Sequence, residues 1–121
     1  MKRFLIAGLG MMLCAGIASA AMAADTGTSK SVTGTLEDSF CYGTMGAHGA
    51  SHKKCAMGCA KAGIPVSLVE EGSKKIYVLL PPKNAQAIPD EVVSKMEDTV
   101  TVTGKEYSKG GVNFLTVDSV K

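Results

Sequence analysis

The chain has 121 residues, 20% of them charged, with four cysteines, two histidines and no tryptophan. Its formal charge is +2, and Lys2 and Arg3 at the extreme N-terminus account for that surplus. The neutral remainder excludes the basic face that a general nucleic-acid binder needs, and about 100 residues support one domain with one modest core.

Residues 1–23 read as a secretory signal peptide. Lys2 and Arg3 form the positive end, Phe4 to Ile17 is an uncharged apolar run, and Ala18-Ser19-Ala20 and Ala21-Met22-Ala23 offer A-x-A-like cleavage sites. Cutting after Ala23 is favoured because Asp25 and polar residues begin at once. The run is about long enough to span a bilayer, but its alanines and glycines and its cleavable end suit a removable leader better. Cys14 follows Leu13 rather than a small residue, so lipid attachment is disfavoured and Cys14 leaves with the leader. The expected product is periplasmic or secreted, with no membrane span. Its thiols meet an oxidising compartment, where they pair, bind metal or do redox work.

Residues 24–31 are a polar lead-in to a single domain over 32–121. In the first strand Val32, Gly34 and Leu36 alternate with Thr33, Thr35 and Glu37, and Phe40 continues the inward set. Cys41 stands at the strand end. The neighbours Glu37 and Asp38 diverge on a strand and read as a solvated edge. Tyr42 to Ser51 is small and glycine-rich, hence a loop or a frayed helix. A helix is expected from Ser51 as N-cap to Ala62, with Gly63 just past its end and Pro65 preventing continuation. Val66 to Val69 and Ile76 to Leu80 form two strands around a Glu-Glu-Gly-Ser-Lys turn, and Pro81-Pro82 ends the second. Asp90 caps a helical turn that puts Val92, Val93 and Met96 on one face. Thr99 to Tyr107 is a fourth strand, Ser108 to Gly111 a turn, and Val112 to Val120 the last strand.

The order is β, loop–helix insert, β, β, helix, β, β. Without the insert it matches a five-stranded OB-like barrel with a helix between the third and fourth strands. The closing run TVTVTGKEYSKGGVNFLTVDSV resembles that of small secreted bacterial OB-fold-like proteins. The pair VTGTLEDSFCY and HKKCAMGCAKAGIPVSLV resembles a group of small periplasmic proteins with a Cys/His-rich insert. The first resemblance implies the barrel; the second carries over no activity. A small β-sandwich, or an α+β domain with the helix across an open sheet, is the other architecture this order allows.

Chemistry concentrates between Cys41 and Cys59, which enclose Cys55, His48, His52, Met45 and Met57. On a helix Cys55 and Cys59 lie about 40° apart around the axis and His52 about 60° from Cys55, so the three share one stripe, while Met57 points away. Three readings compete. In the favoured one Cys41, Cys55 and Cys59 with His48 or His52 hold zinc or copper, or a metal cofactor, since thiolates and imidazole suit such ions. In the second, Cys41 pairs with Cys55 or Cys59 and staples the insert as part of a structural or interaction domain with a periplasmic partner. A Cys55–Cys59 bridge is unnatural because their Cβ vectors run side by side, and one cysteine is left over. In the third the odd thiol does thiol–disulfide exchange. C-x2-C, C-x2-C-H, G-x-S-x-G, H-E-x-x-H and phosphate-binding glycine motifs are absent, which speaks against thioredoxin-like chemistry, covalent haem and hydrolysis.

Overall fold

The computed structural model describes residues 26–121, so the leader reading and Cys14 lie outside the described residues. The elements are β1 (Thr28–Asp38), α1 (Ser39–Met45), a 3-10 turn (Ala50–His52), α2 (Lys53–Lys61), β2 (Val66–Glu70), β3 (Ile76–Leu80), α3 (Asp90–Ser94), β4 (Thr99–Lys109), β5 (Val112–Thr116) and β6 (Ser119–Val120). Among the described residues no helix is long and apolar enough to cross a membrane.

Five strands close into an OB-like barrel in the order β1-β2-β3-β5-β4, and β4 returns to β1. All pairs are antiparallel except β3–β5. The long strand β1 serves two neighbours: Thr28–Thr35 pairs with β4, and Gly34–Asp38 pairs with β2. It changes partner at Gly34, where an added Cβ would strike the Val69 carbonyl. Strand β4 turns the same kind of corner at Gly104, against the carbonyl of Thr116. Side-chain-free positions let strands curl this tightly, and without the curl a five-stranded sheet stays open.

The alternation expected of β1 holds for Val32, Gly34 and Leu36, all buried. The strand begins at Thr28, earlier than the sequence implies, because Ser31 and Thr33 bond hydroxyl to hydroxyl with Thr103 and Thr101 on β4 and lengthen the ladder into the polar lead-in. Phe40 departs from the expected inward set and is 57% exposed. The chain has left strand geometry by then, so the alternation no longer applies. The last strand is two pieces, β5 and β6, separated by Val117 and Asp118, whose N–H groups bond to Leu80 and Thr103.

The barrel is filled by Val32, Leu36, Leu68, Tyr77, Val102 and Leu115. One end is plugged by Val92, Val93 and Met96 from the α3 region, and Ala56 and Ala60 of α2 join the same core. Their i, i+4 spacing gives α2 one small-residue face that lies close on the barrel, with Met57 packed beside it. Helix α2 packs on β1 and on α3. It ends as the sequence implies: Gly63 adopts φ 92°, its N–H bonds to Ala60, and the Ile64 N–H bonds to Cys59, a Schellman closure.

Candidate metal centre

Two short helices, both in the insert between β1 and β2, bring the cysteines together. The first exists because of Asp38. Its carboxylate Oδ1 accepts the backbone N–H of Cys41 at 2.8 Å, capping α1. The Ser39 N–H bonds to Pro65, and its hydroxyl pairs with Ser67 at 2.8 Å, fastening the helix start to β2. Gly46 ends α1 in the left-handed region at φ 66°. Cys41 is therefore not at a strand end; it sits in the first turn of a real helix, buried.

The second helix is α2. A 3-10 turn over Ala50–His52, with Gly49 at its cap position, leads straight into it, and the cap position of α2 itself is His52, not Ser51. The Gly49 N–H donates to Glu97 Oε2 at 2.7 Å, so a carboxylate from the far end of the chain meets the exposed helix start. Lys53 pairs with Asp98 at 2.6 Å and pins the same corner.

The outcome is a compact donor cluster. The Sγ atoms of Cys41, Cys55 and Cys59 all lie within 4.8 Å of one another, and so do ligand atoms of Asp38, Cys41 and His52. Cys41 belongs to both groups. Among the described residues all three cysteines are free thiols, so the alternative staple, Cys41 to Cys55 or Cys59, is not formed. Exposure is graded: Cys41 is buried, Cys59 half-buried and Cys55 exposed. The half-turn stripe of the helix explains this, because Ala56 and Ala60 face the core and carry Cys55 and Cys59 on the adjacent flank.

Geometry suits an ion. A metal–sulfur bond of about 2.3 Å in a tetrahedral site separates sulfurs by roughly 3.8 Å. Sulfurs already within 4.8 Å reach that spacing by small side-chain rotations.

His52 Nε2 meets Asp38 Oδ2 at 2.8 Å. Asp38 thus holds the Cys41 backbone with one oxygen and the imidazole with the other, and is itself completely buried. This contradicts the solvated-edge reading of Glu37 and Asp38: both are buried. Burial pushes the Asp38 carboxyl up, but hydrogen bonds from Cys41 and His52 outweigh it and hold the group below its ordinary range. A neutral His52 that donates from Nε2 keeps a lone pair on Nδ1, the arrangement by which a carboxylate orients a ligating imidazole.

The thiols are shifted the other way. Burial, reinforced by a hydrogen bond to Asp38 and its negative charge, pushes Cys41 up to about 12. Burial and the same carboxylate also raise Cys59. Without a cation these two are thiols and poor nucleophiles at neutral pH. A bound metal reverses that balance, since coordination deprotonates a thiol outright.

His48 lies outside both groups. It is exposed, and its Nδ1 bonds to the Gly46 carbonyl at 2.7 Å. It lines a separate cleft, together with Tyr42 and Glu97. Met45 is 67% exposed, whereas Met57 packs on the core as its helical angle implies. Of the residues that matter here, Asp38 was legible as an N-cap three positions before Cys41. Glu97 had no local signal, because its partner is Gly49 across the fold.

No protein-family model, curated protein or solved structure matches the chain. The candidate centre therefore rests on its own donor chemistry.

Proposed function

We propose that the protein is a periplasmic metal-binding protein that holds one zinc or copper ion on the sulfurs of Cys41, Cys55 and Cys59. The observation that supports this is the convergence of three free thiols within 4.8 Å of one another, drawn from two helices that different parts of the barrel hold in place. Three sulfur donors select soft or borderline ions over magnesium or calcium. Asp38 orients Cys41, and His52 stands beside it as the imidazole of the centre.

Chemically, the chain supplies three ligands and a way to hold them. Cys41 is immobilised by its helix cap; Cys55, exposed, is the sulfur through which an ion arrives and leaves. Coordination releases the thiol protons to solvent, so affinity falls as the pH is lowered. Thiol–disulfide catalysis receives less support, because Cys41 and Cys59 are shifted away from thiolate character.

The test is elemental analysis of protein purified from its native periplasm, combined with melting curves before and after chelation. The proposal expects about one equivalent of zinc or copper, a melting temperature lowered by chelation, and three reactive thiols per mature chain denatured without reductant, where a disulfide would leave one. A melting temperature indifferent to both EDTA and a copper(I) chelator, with no metal in the purified protein, refutes it.

A further inference from the structure

Beside Tyr42 of α1 lies an open cleft of about 380 Å³ lined by residues that the sulfur centre does not use. Its floor holds two carboxyl groups, Glu37 from β1 and Glu97 from the corner before β4. Glu37 is only 4% exposed. Oε2 of Glu37 and Oε1 of Glu97 are sealed from solvent, and no N–H or O–H donor reaches either. Both side chains line the same cleft, close enough for the charge of Glu97 to act on Glu37. Two ionised carboxylates do not remain face to face in a buried place unless something positive lies between them.

The cleft supplies the remaining elements of a cation site. His48 lines its mouth. Because its Nδ1 must donate to the Gly46 carbonyl, a neutral His48 carries its lone pair on Nε2. Glu71 and Lys74 also line the cleft, and their charges cancel, so the ionised Glu37–Glu97 pair leaves two negative charges to be matched. The corner is rigid: the other oxygen of Glu97 is already tied to the Gly49 N–H, and the Glu97 N–H bonds to Leu36 at 2.7 Å.

We propose that this cleft is a second cation site, in which Glu37 and Glu97 together take a hard divalent cation of the magnesium, calcium or manganese class, with His48 at its mouth. Oxygen donors set this site apart from the sulfur centre, which prefers softer ions. The cation ties β1, the corner before β4 and, through Gly49, the start of the helix that carries Cys55 and Cys59. Occupation of one site thereby braces the scaffold of the other, although the second site stands whether or not the sulfurs hold metal.

Manganese(II) is the probe, read by the loss of its free six-line electron-paramagnetic signal. The full mature chain is first given one equivalent of zinc to occupy the sulfurs. The proposal expects one saturable manganese site, competed by magnesium or calcium and kept in the Cys55→Ser variant. Glu37→Gln and Glu97→Gln each weaken binding at least tenfold, while Glu91→Gln, on the exposed face of α3, does not. Manganese also raises the melting temperature of the wild type but not of Glu37→Gln, so a poorly folding Glu97 variant leaves the test intact. No saturable binding at pH 8 up to millimolar manganese means that a shared proton alone fills the gap and overturns the proposal. Equal binding by wild type and Glu37→Gln overturns it as well, by placing the ion elsewhere on the surface.

Discussion

Replacing Asp38 by alanine probes the link between helix capping and the sulfur centre. The side chain is fully buried and makes two separable bonds, to the Cys41 N–H and to His52 Nε2, each at 2.8 Å. Loss of an N-cap costs about 1 kcal/mol. Loss of a hydrogen bond to a charged group costs about 1.5–3 kcal/mol. Together these remove about 2.5–4 kcal/mol, roughly a third of the stability of a domain this size, which lowers the melting temperature by about 10–25 °C. The Asp38→Asn variant keeps an oxygen for the Cys41 N–H but loses the charge, so its stability should fall roughly midway. The assay is thermal denaturation of reduced, chelated protein at pH 7, followed by circular dichroism, with His52→Ala completing a double-mutant cycle. The cycle should return a coupling energy of about 1–3 kcal/mol between Asp38 and His52.

The same argument fixes the pH dependence. The folded Asp38 carboxyl lies below its ordinary range. Its contribution is therefore complete above the unfolded value of about 3.9 and disappears as the pH falls through the folded value. The gap between wild type and Asp38→Ala should narrow below pH 4. A melting temperature for Asp38→Ala within about 3 °C of wild type at pH 7, or additive effects of the Asp38 and His52 substitutions, would refute the reasoning. Metal affinity gives a second readout: an outer partner that orients ligands should change it by about 10–100-fold.

Glu37 has the opposite sign. Burial, then the charge of Glu97, push it up to about 8 from 4.5, so the folded state holds a proton that the unfolded chain releases. That contribution is complete below about pH 4.5 and drains away as the pH rises through 8; chelated wild type should melt lower at pH 8.5 than at pH 6, and Glu37→Gln should show a flatter profile. Gly104→Ala drives a Cβ into the Thr116 carbonyl where one edge of β4 passes from β6 to β5, and should cost several kcal/mol or prevent folding, read by denaturant titration against Gly58→Ala, where an added Cβ meets nothing. Phe40→Ser, at a position 57% exposed, should shift stability by no more than about 0.5 kcal/mol; a loss above about 2 kcal/mol would return Phe40 to the core.

Local patterns in the sequence determine much of this protein. Alternation in Val32, Gly34 and Leu36 defines β1, the β-rich run from Ile76 to Leu80 marks β3 to the residue, and Gly63 closes α2. Each depends on neighbours within a few positions, where backbone preference and side-chain period act directly. The order of these elements limits the architecture to a small set that includes the closed barrel, and the crowding of Cys41, His52, Cys55 and Cys59 into one insert marks the place for chemistry.

Tertiary structure decides the rest, because the deciding contacts join residues remote in the chain. Periodicity carries Phe40 inward, yet Asp38 caps a helix there and turns it outward. Adjacent acids read as a wet edge, yet β2 and the Glu97 corner bury Glu37 and Asp38 and give them unlike partners. Helical spacing alone puts His52, Cys55 and Cys59 on one stripe, but only packing of α2 through Ala56 and Ala60 swings that stripe toward Cys41 and leaves His48 to a different cleft. A short-range code specifies which donors exist and on what element; burial, and the charges that burial forces together, specify which of them meet.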